Sequence, residues 1–277
     1  MRQFKLYNAI GEVYDLNSLD FFMYDPEQLG FKQGTKYERV GDAFHPYQEG
    51  YDQPKPKGKI RFKQPGAYDK YNAFVKFVSK KPLRLEYTPA DATFKLQCEV
   101  GELKKTEIKT IGLSCDITFT GLGLWYRTLV EETSDDESGD GKKYDYEYDY
   151  VYSNSAAGTV ALVSDAQDDS PTKITIYGPV VNPVWNHYLN GNRVNGGAVN
   201  ATIPSGHKLV VDATTMPWSI TEQDAYGHVV HDRYPDSDWN TDRFIFLQQG
   251  TNKISISHTG VNTPKLMVEV NLQYASV

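Results

Sequence analysis

Short segments in which hydrophobic and polar residues alternate constrain this chain more than any other feature of its sequence. The clearest pair of apolar faces comprises Phe94, Leu96, Cys98 and Val100, followed by Leu113, Cys115, Ile117 and Phe119. Because successive side chains of a strand point to opposite faces, a period of two predicts strands that are buried on one side. Turn residues separate such segments about every 8–12 residues, a spacing typical of sandwiches and jelly rolls. The pattern predicts a mainly β protein.

One segment follows a helical period instead. Its apolar residues lie at i, i+3, i+4 and i+7, namely Tyr71, Phe74, Val75 and Val78. This spacing places them on one face of a helix, which Pro82 would end. We expect a single helix over about residues 67–80, lying on a sheet.

Turn signals divide the rest of the chain into strands. Gly11-Glu12, between Phe4–Ile10 and Val13–Leu16, predicts a two-residue hairpin turn, and Asn190-Gly191 is the strongest hairpin signal. Further short β-branched segments are predicted strands: Thr172–Tyr177, Val184–Leu189, Lys208–Asp212, Arg243–Leu247, Lys253–Ser257 and Lys265–Leu272.

An acidic, turn-rich stretch interrupts the pattern between residues 131 and 141 and is typical of a linker. From Tyr144 to Tyr152 tyrosine then alternates with other, mainly acidic, residues, which predicts a strand. Its tyrosine face would belong either to a core or to an interface. We therefore expect an N-terminal domain over residues 1–133 and a C-terminal domain over 134–277.

Charge and hydropathy exclude several function classes. The net charge of −7 and pI of about 5.4 argue against nucleic-acid binding, which needs a basic surface. No stretch approaches the ~20 apolar residues of a membrane helix, and the N-terminus lacks the apolar core of a signal peptide. We expect no membrane insertion.

Cys98 and Cys115 are too few for a disulfide scaffold or a zinc site. If the chain turns near Thr106-Glu107, the two cysteines lie across from each other, and a disulfide is conceivable. The alternative is that both are reduced core residues.

The stretch from Gly41 to Gly58, GDAFHPYQEGYDQPKPKG, has no period and predicts a long exposed loop or an extended hairpin tip. Loops of this length usually contact something. The candidate contact residues of this loop are Phe44, His45, Tyr47, Tyr51, Lys55 and Lys57. The alternative is a merely mobile loop.

Catalytic and cofactor motifs are not found: there is neither a phosphate-binding glycine loop nor a G-x-S-x-G turn. His228, His231 and nearby aspartates offer a weak metal or glycosidase pattern, which equally fits a turn. Trp185, Trp218 and Trp239 are candidate partner or glycan contacts, although tryptophans of sandwiches are often core residues. We expect no enzyme, no cofactor and no metal.

Several segments together resemble the distal tail protein (Dit) family of long-tailed phages that infect Gram-positive bacteria. The N-terminal half resembles it in RQFKLYNAIGEVYDL, FFMYDPEQLGF, PGAYDKYNAFVKFVSKKPLRLEY and KLQCEVGELKKTEIKTIGLSCDITFTGLGLWYR. The C-terminal half, with ITIYGPVVNPVW, ATIPSGHKLVVDATT and DSDWNTDRFIFLQQGTNKISI, is similar to the galectin-like, jelly-roll module that follows in this family.

The resemblance implies a structural virion protein of the tail tip or baseplate, made in the cytoplasm of the host bacterium. It implies an N-terminal β-barrel or sandwich-like domain that forms a hexameric ring, followed by a galectin-like β-sandwich. The implied partners are other copies of the chain, proteins on the tail-tube and tail-terminator side, the tail-associated fibre protein and receptor-binding proteins.

Two departures limit what the resemblance carries. The chain has no room for the carbohydrate-binding module inserted in some members, and its C-terminal half lacks a recognisable galectin sugar motif. Sugar binding therefore does not transfer with the fold. The alternative function is a host-glycan-binding β-sandwich that takes part in adsorption.

Overall fold

A computed structural model describes residues 2–108, 112–133, 158–260 and 264–277. It is mainly β with one helix among these residues, which confirms the predicted fold class. The predicted strand over residues 144–152 and most of the acidic stretch before it lie outside the described residues.

Two compact units make up the chain. The N-terminal unit consists of Met1–Arg127 and Gln273–Val277, and the C-terminal unit of Thr128–Leu272. The last residues of the chain thus return to the first unit, which nothing in the sequence indicated. The division into domains at residue 133 stays a prediction.

The N-terminal unit is one antiparallel sheet with a helix and a separate hairpin. Its strands are β1 (Gln3–Tyr7), β2 (Val13–Asp15), β3 (Phe21–Glu27), β4 (Lys36–Val40), β5 (Ala43–Gln48), β6 (Lys57–Lys63), β7 (Leu83–Thr88), β8 (Phe94–Lys105), β9 (Gly112–Gly121) and the start of β10 (Trp125–Glu132). The sheet order is β2-β1-β7-β8-β9-β6-β3, with β4 and β5 paired only to each other. The described strands do not close into a barrel, so the barrel form of the expectation is wrong, and the galectin-like form of the C-terminal unit stays a prediction.

Burial follows the predicted alternation. Along β9, Leu113, Cys115, Ile117 and Phe119 are buried, whereas the residues between them are at least partly exposed. The helix α1 spans Ala67–Val78, as predicted. It buries Phe74 and Phe77, which pack with Tyr14, whereas Val75 of the predicted stripe is exposed. The stripe is rotated because the aromatic cluster of the sheet accepts a phenylalanine at position 77.

Two predicted turns are wrong in detail. β1 and β2 pair through Tyr7 and Val13, so five residues form the loop between them. The side chain of Asn8 stabilises this loop, because its Oδ1 accepts from the backbone N–H groups of Ile10 and Glu12.

β8 and β9 pair as far as Lys105 and Cys115, so Thr106-Glu107 lies at one end of the connection between them and not at its centre. Cys98 is consequently opposite Gly121 rather than Cys115, and both cysteines are free and buried. Burial raises the pKa of the Cys98 thiol to about 12, so it remains protonated near neutral pH.

The C-terminal unit contains a five-stranded run, β19-β18-β17-β12-β22, and a four-stranded sheet, β11-β21-β14-β15. Its strands are β11 (Thr159–Ser164), β12 (Ser170–Tyr177), β13 (Val180–Val181), β14 (Val184–Leu189), β15 (Asn192–Ala198), β16 (Thr202–Ile203), β17 (Lys208–Asp212), β18 (Ser219–Gln223), β19 (Val229–Asp232), β20 (Phe246–Leu247), β21 (Gly250–Ser257) and β22 (Leu266–Tyr274). Asn190 and Gly191 form the predicted turn, both with positive φ. The predicted strand Arg243–Leu247 is reduced to its last two residues.

Candidate contact surfaces

The hairpin of β4 and β5, which we call the arm, is exposed along its whole length. Its two strands meet at Gly41-Asp42, and Gly41 has the positive φ of 63° that the first position of a type II′ turn requires. Its exposed apolar residues are Tyr37 (55%), Val40 (59%), Phe44 (69%) and Tyr47 (63%). The pairing register places Tyr37 and Phe44 on one face and Val40 on the other, and the alternation of side chains along β5 puts Tyr47 on the face of Val40, next to the register shift. Both faces of the arm thus present hydrophobic side chains.

The base of the arm is fastened at one point. The N–H of Gly34 donates to the carbonyl of Gly50 at 2.9 Å, and Lys32 forms an ion pair with Asp52. The ring of Phe31 meets that of Tyr51 edge-on, with centroids 5.8 Å apart. These contacts fix where the arm leaves the unit, while the arm itself pairs only within its own two strands among the described residues.

The six candidate contact residues do not all lie on the arm, and their role in a contact stays a prediction. Phe44, His45 and Tyr47 lie on the arm, and Tyr51 lies at its base. Lys55 and Lys57 do not belong to it. Lys57 begins β6, and the chain before it already bonds to β9 through the carbonyls of Pro54 and Pro56. The predicted loop therefore ends earlier, because the buried residues of β6 pair between β3 and β9.

A second group of residues, which we call the ridge, lies in the C-terminal unit and exposes two tryptophans. It comprises the aromatic residues Trp218, Tyr234, Trp239, Phe244 and Phe246, together with Arg243. Phe244 is buried beneath the others. Trp218 packs on Phe244, with ring centroids 5.3 Å apart, and Trp239 meets Tyr234 edge-on at the same distance. The guanidinium of Arg243 lies 4.4 Å from the centroid of the Trp239 ring. Trp239 is 61% exposed and Trp218 43%.

Trp185 is not part of any surface, so it is corrected as a contact candidate. It is fully buried, and its indole N–H donates to the carbonyl of Arg243 at 2.9 Å. Gly197 lies against the ring, where a Cβ would come within 2.5 Å of it. Trp185 is a core residue that supports the ridge from below.

A buried ionic network holds the chain that carries the ridge. The Glu222 carboxylate is almost fully buried and contacts His207 at 2.6 Å and Arg233 at 2.5 Å. Arg233 also pairs with Asp236 at 2.9 Å. Burial alone would raise the pKa of Glu222, but the hydrogen bonds from His207 and Arg233 outweigh it and lower that pKa. Arg233 thereby fixes the start of the loop that bears Tyr234 and Trp239.

In the structure, His228 of the weak metal pattern takes part in a turn. His228 pairs with Asp224 at 3.1 Å in an exposed turn. Over the described ranges, no three His, Cys, Asp or Glu side chains converge in a way that could hold a metal ion.

The N-terminal unit decides the family. Residues 3–122 match the family model of the distal tail protein, N-terminal domain. The N-terminal unit of the chain thus carries the N-terminal domain of the distal tail protein family. No curated protein matches the chain in sequence.

Solved structures of phage tail components share the fold of this distal tail protein. A chain of the phage P2 baseplate in its activated conformation with Ca is 16% identical and has a TM-score of 0.64, with 100% of each chain covered. The SPP1 Dit protein, described as a paradigm of the hub adsorption apparatus in phages that infect Gram-positive bacteria, is 8% identical. Its TM-score is 0.65, over 96% of this chain and 98% of that one.

As a distal tail protein, the chain is a structural component of the virion tail, at the tail tip. The one helix in the part of the chain that the structure describes is too short and polar to cross a membrane.

Proposed function

We propose that six copies of this distal tail protein form a hub ring through their N-terminal domains, and that the arm of each copy contacts its neighbour. The ring would join the tail tube to the tail-associated fibre protein, and the C-terminal domains would anchor receptor-binding proteins. This is a scaffolding role and needs no catalysis. The observation that carries the proposal is the apolar surface on both faces of the arm.

An isolated two-stranded hairpin is at best marginally stable in water, so an arm of this kind gains from a partner. Tyr37 and Phe44 on one face and Val40 and Tyr47 on the other are free to be covered. Burying each such side chain contributes about 1.5–3 kcal/mol. A contact can join two different surfaces of identical subunits. Such a contact forms a closed ring when the repeated rotation from one subunit to the next returns to the first subunit.

The edge of the arm supports strand addition. In a two-residue hairpin the residues next to the turn bond to each other, so Arg39 and Tyr37 of β4 turn their backbone groups outwards. On β5, Pro46 takes the place opposite Tyr37 and lacks an N–H. The edge of β4 is therefore the better template for a strand of the neighbour.

Solution mass tests the ring directly. We expect the full chain to give the mass of six copies and a six-fold ring in electron micrographs. The double variant Tyr37→Ser with Phe44→Ser should dissociate at least about a hundredfold more readily, since it removes two apolar anchors. The matched control is Leu19→Ser with Leu122→Ser, two exposed leucines outside the arm.

A full chain that stays monomeric at high concentration contradicts the ring. A ring that forms equally well in the double variant contradicts the role of the arm.

The domain that forms the ring should be tested with its C-terminal residues in place. Tyr274 packs edge-on against Phe94, with centroids 5.1 Å apart, and the N–H of Val277 donates to the carbonyl of Leu29 at 3.1 Å. We propose joining residues 1–133 to 273–277 through a flexible linker. This piece should assemble like the full chain, whereas residues 134–272 should stay monomeric.

The remaining partners rest on the family and on the fold shared with baseplate and hub chains. Purified tail-tube protein, tail-associated fibre protein and receptor-binding protein of the same phage should each co-migrate with the ring. Failure of all three to bind an intact ring contradicts the hub role.

A further inference from the structure

We propose that the C-terminal unit binds a neutral saccharide in a shallow cleft beside the ridge, with Trp239 as the stacking platform. The proposal goes beyond the hub role, because a ring could form and anchor its partners without it. It also does not follow from the fold, since no galectin sugar motif is present.

The cleft lies against the loop that carries the ridge. Its volume is about 530 Å³, within the range of about 300–1,000 Å³ that is usual for small-ligand sites. Polar and apolar groups both line it: Asn182, Asn200, Asp236, Ser237 and Asp238, with Val184, Ala198, Val199 and Pro235. Backbone bonds hold the walls, since Asn200 N–H donates to the carbonyl of Asp236 and Asp238 N–H to that of Ala198, each at 2.9 Å.

Arg243 connects this cleft to the aromatic platform. One of its guanidinium nitrogens donates to the hydroxyl of Ser237 at 3.3 Å, and Ser237 lines the cleft. The same guanidinium stacks on the exposed ring of Trp239. Arg243 adopts a left-handed backbone conformation with φ 50°, which non-glycine residues seldom do. The platform and the polar wall are therefore held side by side by one side chain.

The platform is rigid before any ligand arrives. Trp239 is supported edge-on by Tyr234 and on its face by Arg243. Arg243 covers part of the ring, and the 61% of Trp239 that stays exposed is the surface on which a ligand would stack. A ring held in one orientation loses little conformational entropy when a flat ligand stacks on it. The C–H face of a pyranose is such a ligand, and its hydroxyls need the donors and acceptors that Asn182, Asn200 and Asp238 provide.

The charge of the cleft selects among saccharides. Its lining, as the described residues form it, holds the carboxylates of Asp236 and Asp238. The two neighbouring guanidiniums already have partners, since Arg233 pairs with Asp236, and Arg243 donates to Ser237 and stacks on Trp239. Among the described residues, the lining therefore offers no unpaired cation to anionic polymers such as polyglycerol phosphate, whose recognition relies on Arg or Lys. Carboxylates, in contrast, accept hydrogen bonds from neutral hydroxyls. The geometry favours an uncharged chain of hexoses or N-acetylhexosamines.

Binding should be measured on the full chain against immobilised neutral di- to tetrasaccharides of glucose, galactose, N-acetylglucosamine and rhamnose. Polyglycerol phosphate serves as the charged probe. We expect at least one neutral saccharide to bind, with signals from its C–H protons in saturation-transfer NMR. Trp239→Ala should weaken that binding at least about tenfold, and Trp239→Phe should retain part of it.

Tyr226→Ala is the matched control, because Tyr226 is 88% exposed in the same unit but outside the ridge. It should bind like the unaltered chain. Asn200→Ala tests the cleft wall and should weaken binding without changing thermal unfolding. The proposal is overturned if no neutral saccharide binds, if only polyglycerol phosphate binds, or if Trp239→Ala binds as well as Tyr226→Ala does. None of these outcomes affects the mass of the ring, so failure here is distinguishable from failure of the hub role.

Discussion

The arm and the ridge both expose large aromatic side chains, but only in the ridge do these side chains pack against other aromatic rings. Trp239 and Trp218 each lie against other rings of their own unit. The described residues make no ring contact to Tyr37, Phe44 or Tyr47 of the arm, which are at least half exposed. The same degree of exposure therefore corresponds to two different physical situations.

A supported ring suits a ligand that brings little surface, because the protein has already ordered the site. An unsupported hairpin instead gains its order from a partner large enough to cover both faces and an edge. Because of this difference, we propose another protein chain as the partner of the arm and a small, flat ligand as the partner of the ridge. Substitutions that change either the support or the exposed ring test the assignment.

The largest expected effect comes from the tryptophan beneath the ridge. Trp185→Ala should lower the free energy of unfolding by about 3–5 kcal/mol, because it leaves a cavity in the core and removes the bond to the Arg243 carbonyl. Chemical denaturation followed by circular dichroism measures the change.

Trp239→Ala provides the comparison and should lower the same free energy by less than about 1 kcal/mol, since its ring is mostly exposed. Equal losses in the two variants would mean that Trp239 is a structural residue and that the ridge is not a prepared platform.

The next largest effect concerns the ionic network. Glu222→Gln should destabilise the chain by about 1.5–3 kcal/mol, because it weakens charged hydrogen bonds to His207 and Arg233 in a buried setting. Asp224→Asn, in an exposed turn on the same unit, is the control. A variant at Glu222 as stable as that control would show that Arg233 holds the loop without its carboxylate partner.

The same carboxylate predicts a dependence on pH. The pKa of Glu222 is lowered in the folded chain, so its contribution is complete above its ordinary pKa of 4.5. The contribution is lost as the pH falls through the lower, folded pKa, because the folded state then gains a proton less readily than the unfolded state.

Unfolding free energies measured between neutral pH and pH 3 should thus converge for the unaltered chain and Glu222→Gln. If the gap between them stays constant down to pH 3, the carboxylate does not titrate with folding.

Much of the fold is predictable because burying one face of a strand makes hydrophobic residues recur at every second position. Leu113 and Phe119 share one face of β9 as their alternation indicates, and Asn190-Gly191 makes its hairpin. The strand β6 escapes prediction, because prolines and a glycine precede it and imitate a loop. Gly58 belongs to that strand and is buried where a Cβ would come within 2.6 Å of Met23.

The surfaces are less predictable than the core. The ridge joins Trp218, Tyr234 and Trp239, which are separated in the sequence and share no period. Whether a tryptophan is buried, as Trp185 is, or exposed depends on tertiary packing that a short motif does not encode. The arm was found because a region without period is itself a local signal, although its length was overestimated.

The smallest expected effect on stability distinguishes the arm most clearly. Phe44→Ala should change the free energy of unfolding by less than about 0.5 kcal/mol at dilutions where the chain is monomeric, because its side chain is 69% exposed. Phe119→Ala, on the buried face of β9, is the matched comparison and should cost about 3–5 kcal/mol. Phe44→Ala should nevertheless weaken assembly at higher concentration.

A loss of unfolding free energy above about 1 kcal/mol in the monomer would mean that Phe44 folds back on its own chain. The arm would then be a structural hairpin that supports its own domain, and the contrast with the ridge would no longer hold.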